Sequence, residues 1–412
     1  MNKSPRLVAL ETLYSIFYDG SYSNIALDKA LSEIKENKAF ISALVYGVTE
    51  RKITLDYFID KYAQGRIKPK VRIVLWLGAY QLLFMDKVPS SASINESVKL
   101  VKEIKQDYYS KLVNAVLHKI DNDRQIPDDL SVKYSVPENL INMWKKQYGE
   151  DVLNEFLPCI NDKPPLFAIP NKKFVNSDEL LYELECDGIL GEAYDEFVLI
   201  ENANDLTDSK AFKNGLFYIE DLSSFNCANA LDALGDDVVL DMCSAPGGKA
   251  FTISQSMNNS GKIYCYDLHE HRLNLIKNSA KRLSIDNIFT DVNDATVYNE
   301  NIPKADKILC DVPCSGFGII RRKPEIRYKD LDSVKDLPQI QYKILETSSR
   351  YLKNGGRIIY STCTLNKKEN ENVVNKFLKD HSGYKLLKDK TVFPSTVGGD
   401  GFYYAIMVKN EN

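Results

Sequence analysis

The chain has 412 residues, of which 44% are hydrophobic and 27% charged, with 20 Gly and 15 Pro. At about 100–200 residues per domain that is two or three domains of globular composition, and it excludes a disordered, fibrous or collagenous chain. The formal charge of −4 hides an asymmetry: residues 1–120 carry 18 Lys and Arg against 12 Asp and Glu, a net of +6, and the remainder a net of −10. A basic first module suggests a polyanion-binding appendage, although a lysine-rich solvated helical surface accounts for the charge equally well.

Residues 1–120 read as helical. Leu7, Leu10, Leu13 and Phe17 recur at helical spacing until Asp19-Gly20 breaks the pattern, and Val71 to Met85 is apolar nearly all round, as in a central buried helix. Ile73 to Met85, the longest apolar run, spans 13 residues and contains Gln81, where a membrane span needs about 20. Glu11 interrupts the first apolar stretch and no small-residue cleavage site follows, so neither a secretory leader nor a membrane partner is expected, and a cytoplasmic location is. Asn95 to Ile104 and Leu112 to Ile120 add amphipathic stretches, and no alternating strand pattern occurs. An all-α bundle is expected over 1–125.

From Asp121 prolines punctuate the chain, with one helical segment from Glu138 to Gly149. Leu166 to Pro170, Leu180 to Leu184 and Glu196 to Glu201 read as strand, helix and strand, so 126–215 is expected to hold linker helices and a small α/β module. The last domain, 216–412, alternates. Strands are expected at Phe217 to Ile219, Val238 to Met242, Lys262 to Asp267, Lys307 to Val312, Arg357 to Ser361 and Tyr403 to Lys409. Helices are expected at Ser223 to Leu234, Lys249 to Met257, His269 to Leu283, Gln339 to Leu352 and Lys367 to Lys379. Alternation of this kind implies a doubly wound, mostly parallel sheet of Rossmann type.

Asp241-Met242-Cys243-Ser244-Ala245-Pro246-Gly247-Gly248-Lys249 brings a carboxylate to a strand end, then small residues that let backbone approach a ligand at a helix N-terminus. It is neither GxGxxG nor a P-loop. Asp267 ends the next strand, where such folds grip ribose hydroxyls, so the two together point to an adenosine-bearing cofactor.

The eight cysteines are scattered without a CxxC, and the four histidines lie outside metal-ligand spacing, so reduced thiols and no metal are expected. Cys314, in Asp311-Val312-Pro313-Cys314, and Cys363, in Ser361-Thr362-Cys363-Thr364, each follow a strand and could face one crevice or be small buried fillers. The filler reading is taken for Cys159, Cys186, Cys227, Cys265 and Cys310. Arg321, Arg322, Lys323, Arg327 and Lys329, with only Glu325 among them, follow the Cys314 segment and suit a phosphate-gripping strip.

DMCSAPGGK, DVPCSGFGIIRRKPEIR and STCT together resemble the cytosine-C5 RNA methyltransferases, and SASINESVKL and KLVNAVLHKI resemble the NusB-like RNA-binding domain. The pairing, over nearly the whole chain, is similar to the bacterial 16S rRNA cytosine-C5 methyltransferases of the cytosine-967 type. The resemblance implies S-adenosyl-L-methionine as cofactor, contacted by Cys243, Ser244, Ala245, Pro246, Gly247, Gly248, Lys249, Asp267, Asp294 and Asp311. It implies Cys363 as nucleophile on cytosine C6, Cys314 as the thiol assisting release, and Asp311 on the cytosine edge. The implied partner is RNA, namely 16S rRNA before or early in small-subunit assembly, and the protein a monomer. Methylation of tRNA or another rRNA site, or a non-enzymatic assembly or antitermination factor, are the alternatives. Three positions depart from the family pattern: Ile169-Pro170-Asn171 stands for Arg-Val-Asn, Ala250 for Thr, and Glu220 for Gln.

Overall fold

The computed structural model describes residues 3–202, 206–394 and 398–411. The chain divides into two compact units, one of residues up to 162 joined by 320–330, the other of 163–319 and 331–412. This differs from the three segments expected from sequence in two ways. The helices 130–134, 138–148 and 150–156 belong with the first unit, and a short return of the chain, far away in sequence, completes it.

The first unit is helical. Ser4 caps the helix Pro5–Tyr18 by accepting from the Leu7 amide, with Pro5 at the first turn where no donor is needed. Pro69–Phe84 is the apolar centre, buried from Val71 to Leu82 except at Arg72 and Tyr80, and its neighbours Lys38–Tyr62, Ser90–Glu103 and Ser110–Asn122 bury Val45, Leu55, Val101 and Val116 in the same core. Gln81 is tolerated there because it is paired: its oxygen accepts from Arg6 and its amide donates to Leu77 O.

The second unit holds two sheets. The smaller is antiparallel, in order β2-β3-β1-β4, from β1 (Phe167–Pro170), β2 (Gly191–Tyr194), β3 (Phe197–Ile200) and β4 (Phe217–Ile219). The helix Ser177–Cys186 covers it through Leu180 and Leu184, and Asn176 and Glu179 close a reciprocal capping box at its start. The larger sheet comprises β5 (Val238–Asp241), β6 (Lys262–Asp267), β7 (Ile288–Val292), β8 (Ala305–Asp311), β9 (Leu352–Thr362), β10 (Tyr384–Val392) and β11 (Phe402–Lys409). Its order is β10-β11-β9-β8-β5-β6-β7, parallel except for β11, which runs antiparallel to both neighbours.

The two sheets are not separate modules. Phe167, Ile169, Phe197 and Tyr218 share one core with Val239, Ile263, Leu309 and Ile359. The retained Asn171 helps to join them: it is buried and donates to Gly215 O at 2.9 Å and Leu283 O at 2.8 Å. Strand order reverses between β5 and β8, and ligands of doubly wound sheets bind in the crevice at that switch, beyond the carboxyl ends of the strands. Asp241, Asp267 and Asp311 are the last residues of β5, β6 and β8.

Candidate active site

A cavity of about 380 Å³, the size of a small-molecule pocket, opens at the switch. Its wall includes Asp241, the turn from Cys243 to Lys249, Asp311 and, from the opposite side, Glu220 and Asp221. The turn is shaped by its glycines. Gly247 has φ +109°, and a Cβ on Gly248 would lie 2.9 Å from Glu220 Oε1. The helix Gly248–Ser256 starts there and points its free amides at the cavity mouth.

Asp241 is fully buried and neither of its carboxylate oxygens is hydrogen-bonded. Burial first, and the Asp311 charge second, push its carboxyl up to about 8. An unpaired buried carboxylate wants a cation, and the ammonium and sulfonium of S-adenosylmethionine offer two. The residues present therefore fit that cofactor: Asp241 for the positive end, the 243–248 turn for close backbone approach. The sequence marks Asp241 as the carboxylate that a strand brings to the ligand turn; its burial without a partner is what points to a cation.

Lys249 donates to Asp311 Oδ2 at 2.8 Å, and Asp311 Oδ1 accepts from the Ser361 hydroxyl at 2.8 Å. Burial disfavours the Lys249 charge, but Asp311 and Glu220 outweigh it and hold the ammonium above its ordinary range. Glu220, buried beside Thr252, which donates to it at 2.5 Å, is raised to about 7 by that burial, with Lys249 opposing.

Cys314 and Cys363 come together. Their sulfurs are 3.2 Å apart, each thiol half-buried at the end of adjacent parallel strands, β8 and β9. The Cys314 thiol is held well above the ordinary range, first by its hydrogen bond to Cys363 and then by burial. Backbone closes around the pair: Val312 N donates to Ser361 O and Gly318 N to Cys363 O, both at 3.0 Å.

Other expected residues are placed differently. Asp267 is buried outside the cavity wall and pairs with Arg272 at 3.0 Å. Asp294 is exposed and spends one oxygen on the amide and hydroxyl of Thr296. Cys227, Cys265 and Cys310 are buried as expected of fillers; Cys159 is half-buried, and Cys186 is exposed because its helix buries the opposite face.

The basic strip needs correction at Arg327. Residues 320–330 form part of the first unit, where Arg327 is buried and its guanidinium donates to Glu50 O (2.9 Å), Ser135 O (3.1 Å) and Asn161 Oδ1 (2.9 Å). A guanidinium buried in this way and bonded to three segments of the chain is a structural pin, out of reach of phosphate. Tyr328 donates to Thr49 O beside it, and Glu325 accepts from the Ser23 amide and hydroxyl at the start of the helix Ser23–Ser32. Arg321 is also buried; Arg322 is half-buried, and Lys323 lies over the Tyr22 ring.

Among the described residues no His, Cys, Asp and Glu group could hold a metal, and no helix is long and apolar enough to cross a membrane. Residues 3–122 match the NusB family model, and residues 228–408 match the model described as 16S rRNA methyltransferase RsmB/F. The chain is 33% identical to the probable ribosomal RNA small subunit methyltransferase B of Bacillus subtilis (strain 168), over 98% of this chain and 99% of that protein. It is 30% identical to the protein of the same description from Synechocystis sp., over 93% and 90%. The crystal structure of PH0851 superposes with a TM-score of 0.83 at 26% identity, covering 99% of this chain and all of the other. With a near-complete relative at this identity, and a matching family model over its large sheet, the chain belongs to the 16S rRNA methyltransferase RsmB/F family.

Proposed function

We propose that this protein methylates C5 of a cytosine in 16S rRNA, with Cys363 as nucleophile and Cys314 as the thiol that assists release. The observation that carries the reading is the 3.2 Å separation of the two sulfurs beside the Lys249–Asp311 pair. A single thiol suffices for attack; a second in contact with it is placed to serve as acid and base when the first is expelled.

C5 of cytosine is a poor nucleophile, and adding a thiolate at C6 makes it enamine-like. Cys363, having lost its proton to solvent, forms the S–C6 bond, and the C5=C6 electron pair moves onto C5. S-adenosylmethionine, the methyl donor of this family, supplies an electrophilic methyl group when bound. Cys314 then passes its proton to the departing Cys363 sulfur and takes the C5 proton in its place. The C5–H pair re-forms C5=C6 and the S–C6 bond breaks. The net change is one methyl gained and one proton released. Asp311, kept oriented by Lys249 and Ser361, meets the cytosine edge. Asp267, the last residue of β6, and Asp294, in the loop after β7, are where the ribose side of the donor is accommodated in this reading.

The base must be unstacked to reach the thiols, which favours unassembled or partly assembled rRNA in the cytoplasm over the packed subunit. Arg322 and Lys323 remain the basic-strip residues suited to phosphate. The protein acts as a monomer in this reading. Denaturing gels test the thiol roles: Cys363→Ala abolishes both methylation and adduct, whereas Cys314→Ala stalls as a protein–RNA adduct that survives denaturation. An adduct trapped by Cys363→Ala reverses the assignment. Bisulfite sequencing of RNA from a deletion strain identifies the cytosine.

A further inference from the structure

Behind the thiols lies a polar cluster that the chemistry above leaves unused. Glu369 is fully buried, and four donors converge on its carboxylate. Oε2 accepts from the Ser315 amide at 2.8 Å and from Gln341 Nε2 at 3.0 Å. Oε1 accepts from the Ser315 hydroxyl at 2.6 Å and from Asn366 Nδ2 at 2.8 Å.

The hydrogen directions follow. A carboxylate only accepts, so the Ser315 proton is committed to Glu369. The 2.6 Å contact between Ser315 Oγ and Thr364 Oγ1 must then carry the Thr364 proton. Thr364 Oγ1 in turn accepts from the Phe317 amide at 3.2 Å. Donors therefore run one way, from Phe317 through Thr364 and Ser315 to Glu369. Ser315 adjoins Cys314, and Thr364 adjoins Cys363. Gln341 reinforces the same junction by donating also to Pro313 O at 2.9 Å.

We propose that Glu369 is the positioning residue of the thiol pair, its buried carboxylate serving as the common anchor that locks the Cys314 segment to the Cys363 segment. Its acceptor-only chemistry dictates the order of the chain, which an amide or an apolar residue could not do. The same charge stands behind Cys314, where it adds to the effects of the Cys363 hydrogen bond and of burial in holding that thiol protonated. The anchor thus holds the contact between the two segments and adds to the effects that keep Cys314 protonated. The inference rests on the two-thiol reading for its purpose, but its test uses neither RNA nor methyl donor, so the two can fail separately.

The test is alkylation of the full-length protein by iodoacetamide between pH 6 and 10, with each cysteine followed by peptide mass spectrometry. Closure of a Cys314–Cys363 disulfide by diamide, which accepts the two electrons and two protons, is timed in parallel. Glu369→Gln is expected to raise Cys314 alkylation at pH 8 about threefold or more, because removing the buried charge eases ionisation of that thiol. Thr364→Val, which breaks the chain while leaving Glu369 in place, is expected to slow disulfide closure about threefold or more. If Glu369→Gln does not fold, Thr364→Val decides alone. Wild-type alkylation profiles and closure rates in the variants that fold, with only a lower melting temperature, would overturn the proposal and leave Glu369 a stability element.

Discussion

Asp241 shows how one side chain can set the pH response of a whole site. Its carboxyl, ordinarily near 3.8, is raised to about 8 by burial and the Asp311 charge. The raised value means that its contribution to stability is complete below about pH 4 and is lost as pH rises towards 8, because only the unfolded chain ionises freely across that window. A positively charged ligand works in the opposite direction, since it stabilises the ionised form. Binding of S-adenosylhomocysteine, which carries the same ammonium, is therefore expected to expel up to about one proton at pH 7 and to tighten from pH 6 to 8. Calorimetry in two buffers of different ionisation enthalpy measures the proton, and Asp241→Asn is expected to remove most of it. Buffer-independent enthalpy in the unaltered protein would count against this role. Residues of this kind divide by legibility. The two thiols and the 243–249 turn were readable because each sits in a short run of residues just after an apolar strand. Glu220 and Glu369 were not, since their meaning comes from partners in other segments: Thr252 for the first, Ser315 and Gln341 for the second.

Among the elements, the strands missed from sequence have one physical feature in common. β2, β7 and β10 lie at sheet edges, half solvated, and their sequences GEAY, IFTDV and YKLLKDKTV carry charge where central strands carry Val, Ile and Leu. The inner strands β5, β6, β8, β9 and β11 are legible as short apolar runs because they are packed on both faces. β9 starts at Leu352, five residues before the Arg357 that the sequence suggests, since Gly355 and Gly356 interrupt the apolar run. Loops, by contrast, are constrained here by contact. Gly318, in the loop after β8, passes so close to Gly401 that an added Cβ would stand 1.9 Å from its carbonyl oxygen. Gly318→Ala is accordingly expected to cost about 1–3 kcal/mol, as overpacking against backbone does. Urea denaturation would register that loss, and no change in midpoint would mean that the loop yields freely.

At the scale of the whole molecule, the first unit is built from two distant parts of the chain, and Arg327 is the clasp between them. Both tryptophans of the protein, Trp76 and Trp144, are buried in that unit, so their fluorescence reports on it alone. Arg327→Met, which keeps the length of the side chain but strands the Glu50 and Ser135 carbonyls, is expected to destabilise that signal by about 3 kcal/mol. A tryptophan midpoint unmoved in urea would show that the clasp is dispensable. The boundary expected at residue 125 could not have revealed this arrangement, because RRKPEIR reads as a phosphate-gripping strip until its partners are known. Synthesis on the ribosome turns the arrangement into a matter of timing. Once residue 162 has been made, residues 163–319 must still be added before the missing piece exists, roughly 8 to 30 s at about 5–20 residues per second. Through that interval the helical unit has to wait with the carbonyls meant for Arg327 unmet, while the glycine turn and the first half of the large sheet are produced. Nascent chains arrested with Arg327 still unmade are therefore expected to be cut by protease within 3–162 faster than chains arrested well beyond it, so that the earliest part of this protein to be translated is among the last to be finished.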